Sequence, residues 1–446
     1  MKQLKNFPYE RALVVGLAKS GFAAAAILQK SGVRTTVNDL NTSEGSKEAG
    51  QLKRMGVSLV TGSHPLELLD ETDVVVKNPG IPYENELIAE AVERGITVVT
   101  EVELTAYLHE GPVIGITGSN GKTTTTTLVH RILEADNRRV HVAGNIGEVA
   151  CEVAQRTDDS DIMVIELSSF QLLGIEKFRA DVAVWLNLFD SHLDYHKTRE
   201  NYQAAKANIL NNQSDEDCFV YNADDRLVES YKTKTQAKGV PFSLYQDKNG
   251  AWADDSFIYY KEEIVAERGE IVLVGEHNIQ NCLAAVAACK CLGVSNEAVQ
   301  AVLYEFAGVS HRLQYVDKKY ERFFYNDSKA TNIRATSHAL QAFPEPVVLL
   351  AGGLDRGNAF DELIPYLPKV KHFVLFGETA GKLEALARDS DIPFVSVETM
   401  EDAVEAAYRV SLKGDVILLS PACASWDQYR TFEERGNKFI AAVHKL

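Results

Sequence analysis

The sequence predicts an α/β protein built in three units, and three observations predict it. Short apolar runs recur along the 446 residues, several end in glycine-bearing turns, and segments of helical periodicity follow those turns. A chain of this length has room for two to four domains with sizeable cores.

The opening reads as strand, turn and helix. ALVVG (12–16) is a buried parallel strand, and SGFAAAAILQKSG (20–32) is a helix ending in glycine. VRTTVND (33–39) is a second strand with an acid at its carboxyl end. LLDETDVVVKNPGIP (68–82) holds another strand that runs into a Pro/Gly turn. The alternation predicts a parallel sheet with helical crossovers. A second unit starts near Gly111, where PVIGITGSNGKTTTTTLVHRIL (112–133) repeats the pattern, and DIMVIELS (161–168) and ADVAVWLNL (180–188) continue it. A third starts near Ser310, after the helical NIQNCLAAVAACKCLG; it contains the strands RFFY (322–325), EPVVLLAGG (345–353), KHFVLFG (371–377) and DVILL (415–419) and finishes on a helix. The expected domains are therefore 1–110, 111–309 and 310–446.

Composition narrows the function. Lys and Arg total 46 against 63 Asp and Glu, a net charge of -17, and such a surface repels a nucleic-acid backbone. A small anionic ligand stays compatible, because a few placed cations and backbone amides make a local site. No apolar run reaches the ~18 residues of a membrane span, and MKQLKNFPYERALVVG has no secretory pattern. Six cysteines without CxxC spacing read as free thiols of a reducing cytoplasm.

The first turn, Gly16-Leu17-Ala18-Lys19-Ser20-Gly21, nearly matches GxGxxG, with Asp39 at the place of a ribose-binding acid. Ala18 replaces the glycine that lets a pyrophosphate approach, so a nicotinamide or flavin site, another nucleotide-like anion and plain packing all stay open. The second turn is more specific. Thr117-Gly118-Ser119-Asn120-Gly121-Lys122-Thr123-Thr124 follows a strand and opens a helix, the context of a phosphate loop. Its glycines turn N–H groups inward, Lys122 reaches the β/γ phosphates, and the Thr123 hydroxyl suits Mg²⁺. Ile116 stands where the strict pattern has glycine. Glu166 ends the neighbouring strand IMVIE and suits Mg²⁺, with a solvated surface glutamate as the alternative.

Asn187-Leu-Phe-Asp190-Ser-His192-Leu-Asp194-Tyr-His196 gathers five polar groups after a buried strand, with His192 the functional candidate. Asn326-Asp327-Ser328-Lys329-Ala330-Thr331-Asn332 sets a cation, a carboxylate and hydroxyls in one loop, preceded by His311-Arg312. It suits substrate handling or a turn with a helix cap. Ser420-Pro-Ala-Cys-Ala-Ser425-Trp426-Asp427-Gln428-Tyr429 closes the series. Nothing pairs Cys423 with a histidine as a nucleophile, and Ser425 suits either a helix cap or a ligand.

In this order, TGSNGKTT, Glu166, the His192 cluster, GEHNIQN (275–281), HR (311–312), NDSKATN and SPACASWDQY resemble the Mur ligase family of ATP-dependent amide-bond enzymes over essentially the whole chain. The last two motifs look most like the branch that adds D-glutamate to UDP-N-acetylmuramoyl-L-alanine in peptidoglycan precursor synthesis. The resemblance implies a Rossmann-like N-terminal domain that holds the uridine nucleotide, a central P-loop ATPase-like domain and a Rossmann-like C-terminal domain. Lys19, Ser20, Asp39, Asn78 and Gly80 then match the nucleotide-sugar site, with Asn145 on its muramoyl part and Ser168 and Gln171 where the family contacts substrate or nucleotide.

It further implies MgATP on Gly118, Asn120, Gly121, Lys122, Thr123 and Thr124, with Asn278 and Asn281 toward adenine and Arg312 and Asp327 toward phosphates and ribose. Two Mg²⁺ ions are implied, one on Thr123 and Glu166, the other on His192 and a carbamylated Lys206, for which an ordinary helix-surface lysine is the alternative. Thr331, Arg356, Ser425 and Phe432 match the D-glutamate pocket, with Lys329 close to the reaction. Arg356 stands where a lysine is frequent, and Ser191 where an acid is frequent. The expected chemistry passes through an acyl phosphate and a tetrahedral intermediate in a cytoplasmic monomer, with the C-terminal domain closing over the central one.

The same phosphate loop occurs in ligases that add glutamate to folates, whose C-terminal signatures differ. A motion-driving ATPase would need no carboxylate acceptor. A nicotinamide enzyme would need a hydride site that the rest of the chain does not supply.

Overall fold

The computed structural model describes residues 2–43, 45–189, 191–247, 249–343 and 346–446, and the side chain of Asp194 also lies outside the description. The chain divides into two compact units, one of Met1–Gly269 with Gln280–Val302, the other of Glu270–Ile279 with Leu303–Leu446.

The first unit holds two sheets. Strands β1 (Arg11–Val15), β2 (Arg34–Asp39), β3 (Ser58–Thr61), β4 (Val74–Lys77) and β5 (Thr97–Val99) form a parallel sheet in the order β3-β2-β1-β4-β5. Ala12, Val14 and Val76 pack into a core on one face and Leu13, Val15 and Val75 into a core on the other, so these runs are apolar without alternation. Both glycines of the near-fingerprint, Gly16 and Gly21, are explained by geometry. Gly16 adopts φ +94°, and a Cβ on Gly21, in the helix Lys19–Lys30, would lie 1.8 Å from the Gly16 carbonyl oxygen. Gly21 is therefore what lets the helix lie against the strand.

The second sheet comprises β6 (Val113–Thr117), β7 (Val140–Gly144), β8 (Ile162–Glu166), β9 (Val182–Trp185), β10 (Cys218–Asn222), β11 (Lys238–Ser243), β12 (Ala251–Ala253), β13 (Phe257–Tyr260) and β14 (Glu263–Glu267). Their order is β14-β13-β12-β11-β10-β9-β6-β8-β7. β6 lies between β8 and β9, where the winding reverses, so the turn after it opens into the crevice where such sheets take ligands. Inside this unit the Glu103 carboxylate accepts the N–H groups of Glu176, Lys177 and Phe178 at 2.8, 2.8 and 3.1 Å, and Thr100 Oγ1 donates to the Gln171 carbonyl at 2.8 Å. These bonds tie the end of the first sheet to the segment that leads from helix Ser169–Leu172 to β9.

The second unit carries β15 (Gln314–Lys319), β16 (Arg322–Asn326), β17 (Val347–Gly352), β18 (Val370–Phe376), β19 (Phe394–Ser396) and β20 (Val416–Leu419) in the order β15-β16-β20-β17-β18-β19. Helices Ile333–Gln341 and Ala380–Asp389 cover one face, Met400–Val410 and Phe432–Lys445 the other. The expected strands all form. The sheets are not purely parallel, however: β12-β13-β14 and β15-β16 pair antiparallel. The first extension rests on cross-strand stacking, with Trp252 opposite Tyr259 and their rings 3.9 Å apart.

Gly21→Ala is expected to destabilise the first unit by about 1–3 kcal/mol, because the added methyl meets backbone that cannot yield. Gly50→Ala, in the helix Lys47–Arg54 with open space around it, is expected to stabilise by about 0.4–1 kcal/mol. Thermal unfolding of the two variants checks the pair; equal effects would refute the packing argument.

Candidate functional site

The phosphate loop is shaped by glycine and held from the next strand. Gly121 caps the helix Lys122–Ala135 at φ +82°, and a Cβ there would strike Asn281 Oδ1 at 2.2 Å. The Asn120 N–H donates to Asn187 Oδ1 at 2.9 Å and the Ser119 N–H to the Asn187 carbonyl at 3.1 Å. Lys122 Nζ donates to the carbonyls of Gly118 and Ser119 at 2.8 and 3.1 Å, which holds its ammonium over the loop. A helix N-terminus, a cation and a curled glycine loop together make an anion site. Asn281 closes its far wall, accepting from Thr125 Oγ1 at 3.4 Å. Thr123 and Thr124 occupy the first turn of the same helix.

Register places Glu166 directly opposite Ile116, one residue before the loop begins. Its Oε1 accepts from Asn145 Nδ2 at 2.8 Å, while its Oε2 is buried without a hydrogen-bond partner. A buried carboxylate oxygen left this way fits a cation ligand. Among the described residues no three His, Cys, Asp or Glu side chains converge. A divalent cation on Glu166 therefore needs hydroxyl and phosphate oxygens, the habit of Mg²⁺.

Lys206 is not a surface lysine. It is 1% exposed in the helix Arg199–Ala207, and its Nζ donates to the Gly118 carbonyl at 2.8 Å and meets Thr117 Oγ1 at 3.3 Å. Burial, and then the neighbouring Lys122 cation, press its pKa well below the ordinary lysine value, with Glu166 opposing.

His192 begins the short helix Leu193–His196 in a left-handed conformation, φ +55°. The Phe170 ring meets His192 edge-on at 5.0 Å and Tyr195 at 4.6 Å, and stacks on His196 at 5.4 Å. His196, buried, pairs its Nε2 with Ser169 Oγ at 2.9 Å. Asp190 and the Asp194 side chain, both members of the expected cluster, lie outside the described residues. Ser168 and Gln171 form a capping box, with Ser168 Oγ donating to Gln171 Oε1 at 2.8 Å, so each already has a local task.

At the carboxyl edge of the first sheet lies a cavity of about 360 Å³, walled by Gly16, Ala18, Asp39, His64, Asn78 and Gly80 among others. Asp39 Oδ2 accepts the Leu17 N–H at 2.6 Å and Oδ1 those of Asn41 and Thr42 at 2.9 and 2.7 Å. Burial works to raise its pKa, and these backbone donors outweigh it, holding the carboxyl below its usual range. Asn78 Nδ2 donates to Ser20 Oγ at 3.0 Å and its Oδ1 accepts the Gly80 N–H at 3.1 Å, while Lys19 is exposed at the helix start. Sequence reasoning missed His64, whose Nδ1 pairs with Asn38 Oδ1.

In the second unit the loop after β16 is organised by Arg435, also missed. This arginine is fully buried; its guanidinium donates to Ser328 Oγ at 3.0 Å and to the carbonyls of Ser328 and Cys423 at 2.9 and 3.1 Å. Burial lowers its pKa to about 10. Position 435 shares a helix face with Phe439, Ala442 and Val443, and that spacing was the available signal. Asp327 is buried, accepting Ser420 Oγ at 2.8 Å and the Leu313 N–H at 3.2 Å, and burial raises its pKa to about 7. Lys329 Nζ lies 3.9 Å above the Phe432 ring. Ser425 Oγ is buried without a partner, Thr331 is half-buried, and the exposed Arg356 stacks on Trp426 at 4.8 Å. Cys423 is a buried thiol beside Thr379, its pKa raised by burial. Arg312 is exposed, and Asn278 Nδ2 donates to the Val274 carbonyl at 2.8 Å.

Comparison with known proteins agrees with this layout. Family models match in sequence: a Mur ligase MurD-like N-terminal domain over residues 10–100, a Mur ligase middle domain over 116–289 and a Mur ligase glutamate ligase domain over 311–423. The protein named UDP-N-acetylmuramoylalanine--D-glutamate ligase in Geobacillus sp. is 55% identical over 450 residues, covering all of both chains. Its namesake in Oceanobacillus iheyensis is 53% identical over 448 residues, again covering both fully. The chain belongs to the Mur ligase family. Solved Mur ligases share the fold: a UDP-N-acetylmuramoyl-L-alanyl-D-glutamate--2,6-diaminopimelate ligase aligns with a TM-score of 0.61 at 18% identity, covering 98% of this chain and 96% of that one. The MurF ligase of Thermotoga maritima, solved in complex with ADP, aligns at 0.56 and 16% identity over 99% and 96%. In this Mur ligase no described helix is long and apolar enough to cross a membrane.

Asp327 supplies a pH test for the Mur ligase's second unit. Its folded pKa, about 7, lies above that of an unfolded aspartate, so its stabilising contribution is complete at low pH and is lost as pH rises from about 4 through about 7. Asp327→Asn is expected to gain stability relative to the parent over that rise, read from urea midpoints. A difference independent of pH would refute the assignment.

Proposed function

We propose that this Mur ligase uses ATP to join D-glutamate to UDP-N-acetylmuramoyl-L-alanine, forming ADP and phosphate, in the cytoplasm and as a monomer. The observation that carries the substrate pair is the full-length identity of 52–55% to enzymes bearing that name. The proposed domains are 1–110 for the uridine nucleotide, 111–309 for ATP and 310–446 for the amino acid.

A carboxylate and an amine do not condense in water, so the muramoyl-L-alanine carboxylate first attacks the γ-phosphate. The resulting acyl phosphate is then attacked by the D-glutamate amine, and the tetrahedral intermediate expels phosphate. Bringing two anions together is the difficulty, and the loop of Gly118, Asn120, Gly121, Thr123 and Thr124 meets it with the N-terminus of its helix and the Lys122 ammonium. Bound Mg²⁺ ions supply further charge neutralisation and polarise phosphoryl oxygens. Thr123 and Glu166 are the proposed holders of one ion, supported by the unpartnered Glu166 oxygen. His192 and a carbamylated Lys206 are the proposed holders of the second. The buried Lys206 amine, with its lowered pKa, is the nucleophilic form that carbon dioxide requires.

The cavity beside Asp39, Asn78 and Gly80 suits the uridine diphosphate, with Lys19 and Ser20 at the helix start, Asn145 toward the muramoyl group, and Ser168 and Gln171 as further nucleotide-sugar contacts. Asn278 and Asn281 face adenine in this reading, and Arg312 and Asp327 the phosphates and ribose. The D-glutamate carboxylates go to Thr331, Arg356, Ser425 and Phe432, with Lys329 near the reacting carbonyl. The unpartnered Ser425 hydroxyl supports that pocket.

Phosphate release from ATP is expected to require both the nucleotide sugar and D-glutamate, with L-glutamate inactive and one new amide by mass. Release without the sugar would refute the ligase reading. Lys122→Ala is expected to lose acyl-phosphate formation by at least about 10²-fold while keeping its unfolding midpoint. Lys206→Ala is expected to lose turnover and regain part of it with added short-chain carboxylic acids, and the parent to incorporate isotopically labelled bicarbonate at Lys206. A fully active Lys206→Ala would remove the carbamate.

A further inference from the structure

Lys77 closes β4 and is 1% exposed, although nothing in the reaction above uses it. Its Nζ donates to the Ile81 carbonyl at 2.9 Å and lies 3.3 Å from the Pro79 carbonyl, 3.4 Å from that of Asn78 and 3.3 Å from the Tyr195 hydroxyl. The Tyr195 hydroxyl donates in turn to the Ile81 carbonyl at 3.0 Å. The Tyr83 ring stands 4.9 Å from Nζ, and Tyr83 donates to the Leu173 carbonyl at 3.2 Å. So one ammonium gathers three carbonyls of one loop and a phenol from a different part of the chain.

Both ends of this contact matter. The loop 78–82 carries Asn78, Gly80, Ile81 and Pro82, which form one wall of the 360 Å³ cavity. Tyr195 lies three residues after His192, and Phe170 packs edge-on against both rings, at 4.6 and 5.0 Å. Neither end is rigid by itself: the loop has irregular backbone, and Leu193–His196 is a single turn bounded by positive φ at His192 and Lys197.

We propose that Lys77 and Tyr195 are positioning residues that clamp the cavity's 78–82 wall to the His192 turn, so that the seat of the sugar nucleotide and the placement of His192 are fixed together. The inference rests on the reading of that cavity as the sugar-nucleotide site. Lys77 touches no reacting atom. It supplies donors to the Pro79 and Ile81 carbonyls, which no loop N–H reaches, and adds a second to the Asn78 carbonyl, which already accepts the Ile81 N–H. Its burial is severe enough to pull the amine's pKa down to about 8. A lysine is retained there at that cost because an apolar side chain of the same length removes a shared donor, leaving the loop carbonyls to the Tyr195 hydroxyl and the Ile81 N–H alone.

The test is steady-state kinetics of the full chain carrying Lys77→Met or Tyr195→Phe, with thermal unfolding alongside. Lys77→Met is expected to raise KM for UDP-N-acetylmuramoyl-L-alanine about tenfold while KM for ATP stays within about twofold. Tyr195→Phe keeps the ring against Phe170 and removes only the hydroxyl; it is expected to raise the same KM about threefold and to lower kcat, with an unchanged unfolding midpoint. If Lys77→Met does not fold, Tyr195→Phe alone decides. Unchanged KM and kcat in Tyr195→Phe, or an equal rise of both KM values, would overturn the clamp while leaving the ligase reading intact. A parent enzyme whose turnover ignores the sugar nucleotide would overturn both.

Discussion

Parallel strands deliver their loops to one edge of a sheet, and loops that must curl around a ligand leave backbone carbonyls that no ladder satisfies. All three sheets here answer that constraint with a buried basic side chain that donates hydrogen bonds. Lys77 donates to Ile81 at the first sheet, Lys206 to Gly118 at the second, and Arg435 to Ser328 and Cys423 at the third. Their exposures of 1%, 1% and 0% mean that water cannot take over. An unsatisfied buried polar group costs about 1–3 kcal/mol, and a lone buried cation costs more, so each liability is tolerable only because the other is present. The ligand-side loops therefore have fixed shapes before any ligand arrives.

This device explains what the sequence disclosed and what it withheld. VIGIT, IMVIE and VVLLAG are recognisable as strands because burial on both faces is written locally, as an unbroken apolar run. GSNGKTT is recognisable because Gly121 has to adopt positive φ where a side chain would strike Asn281. Lys206 gives no such sign: in YQAAKANIL it looks like any solvated helix lysine, and only the packing of its helix against the phosphate loop buries it. Lys77 ends the apolar run VVVK and looks like a strand meeting solvent. The resemblance to a family indicated which motifs belong together, yet it could not show that Asn145 holds Glu166 or that Ser168 and Gln171 hold each other. The antiparallel strands β12–β14 escaped for a related reason. Their pairing depends on cross-strand contacts such as Trp252 on Tyr259, between residues whose own segments are short and half-exposed.

The same reasoning resolves an apparent conflict between an acidic chain and strongly anionic substrates. Net charge acts at long range and is screened within about 10 Å in ordinary salt, whereas the site acts through donors fixed at hydrogen-bond distance. Close packing of cations there has its own limit, visible where Lys122 and Lys206 press on one another across Gly118: both donate to the same carbonyl, at 2.8 Å each. Burial first, and then repulsion from the second ammonium on the same acceptor, makes Lys206 lose its proton more readily. Arginine at 206 could not yield in this way, since its guanidinium stays charged at any working pH and offers no free amine. The choice of lysine there is therefore a choice of a group able to be neutral, which leaves the positive charge of the phosphate loop on Lys122 at the mouth, where an anion can reach it.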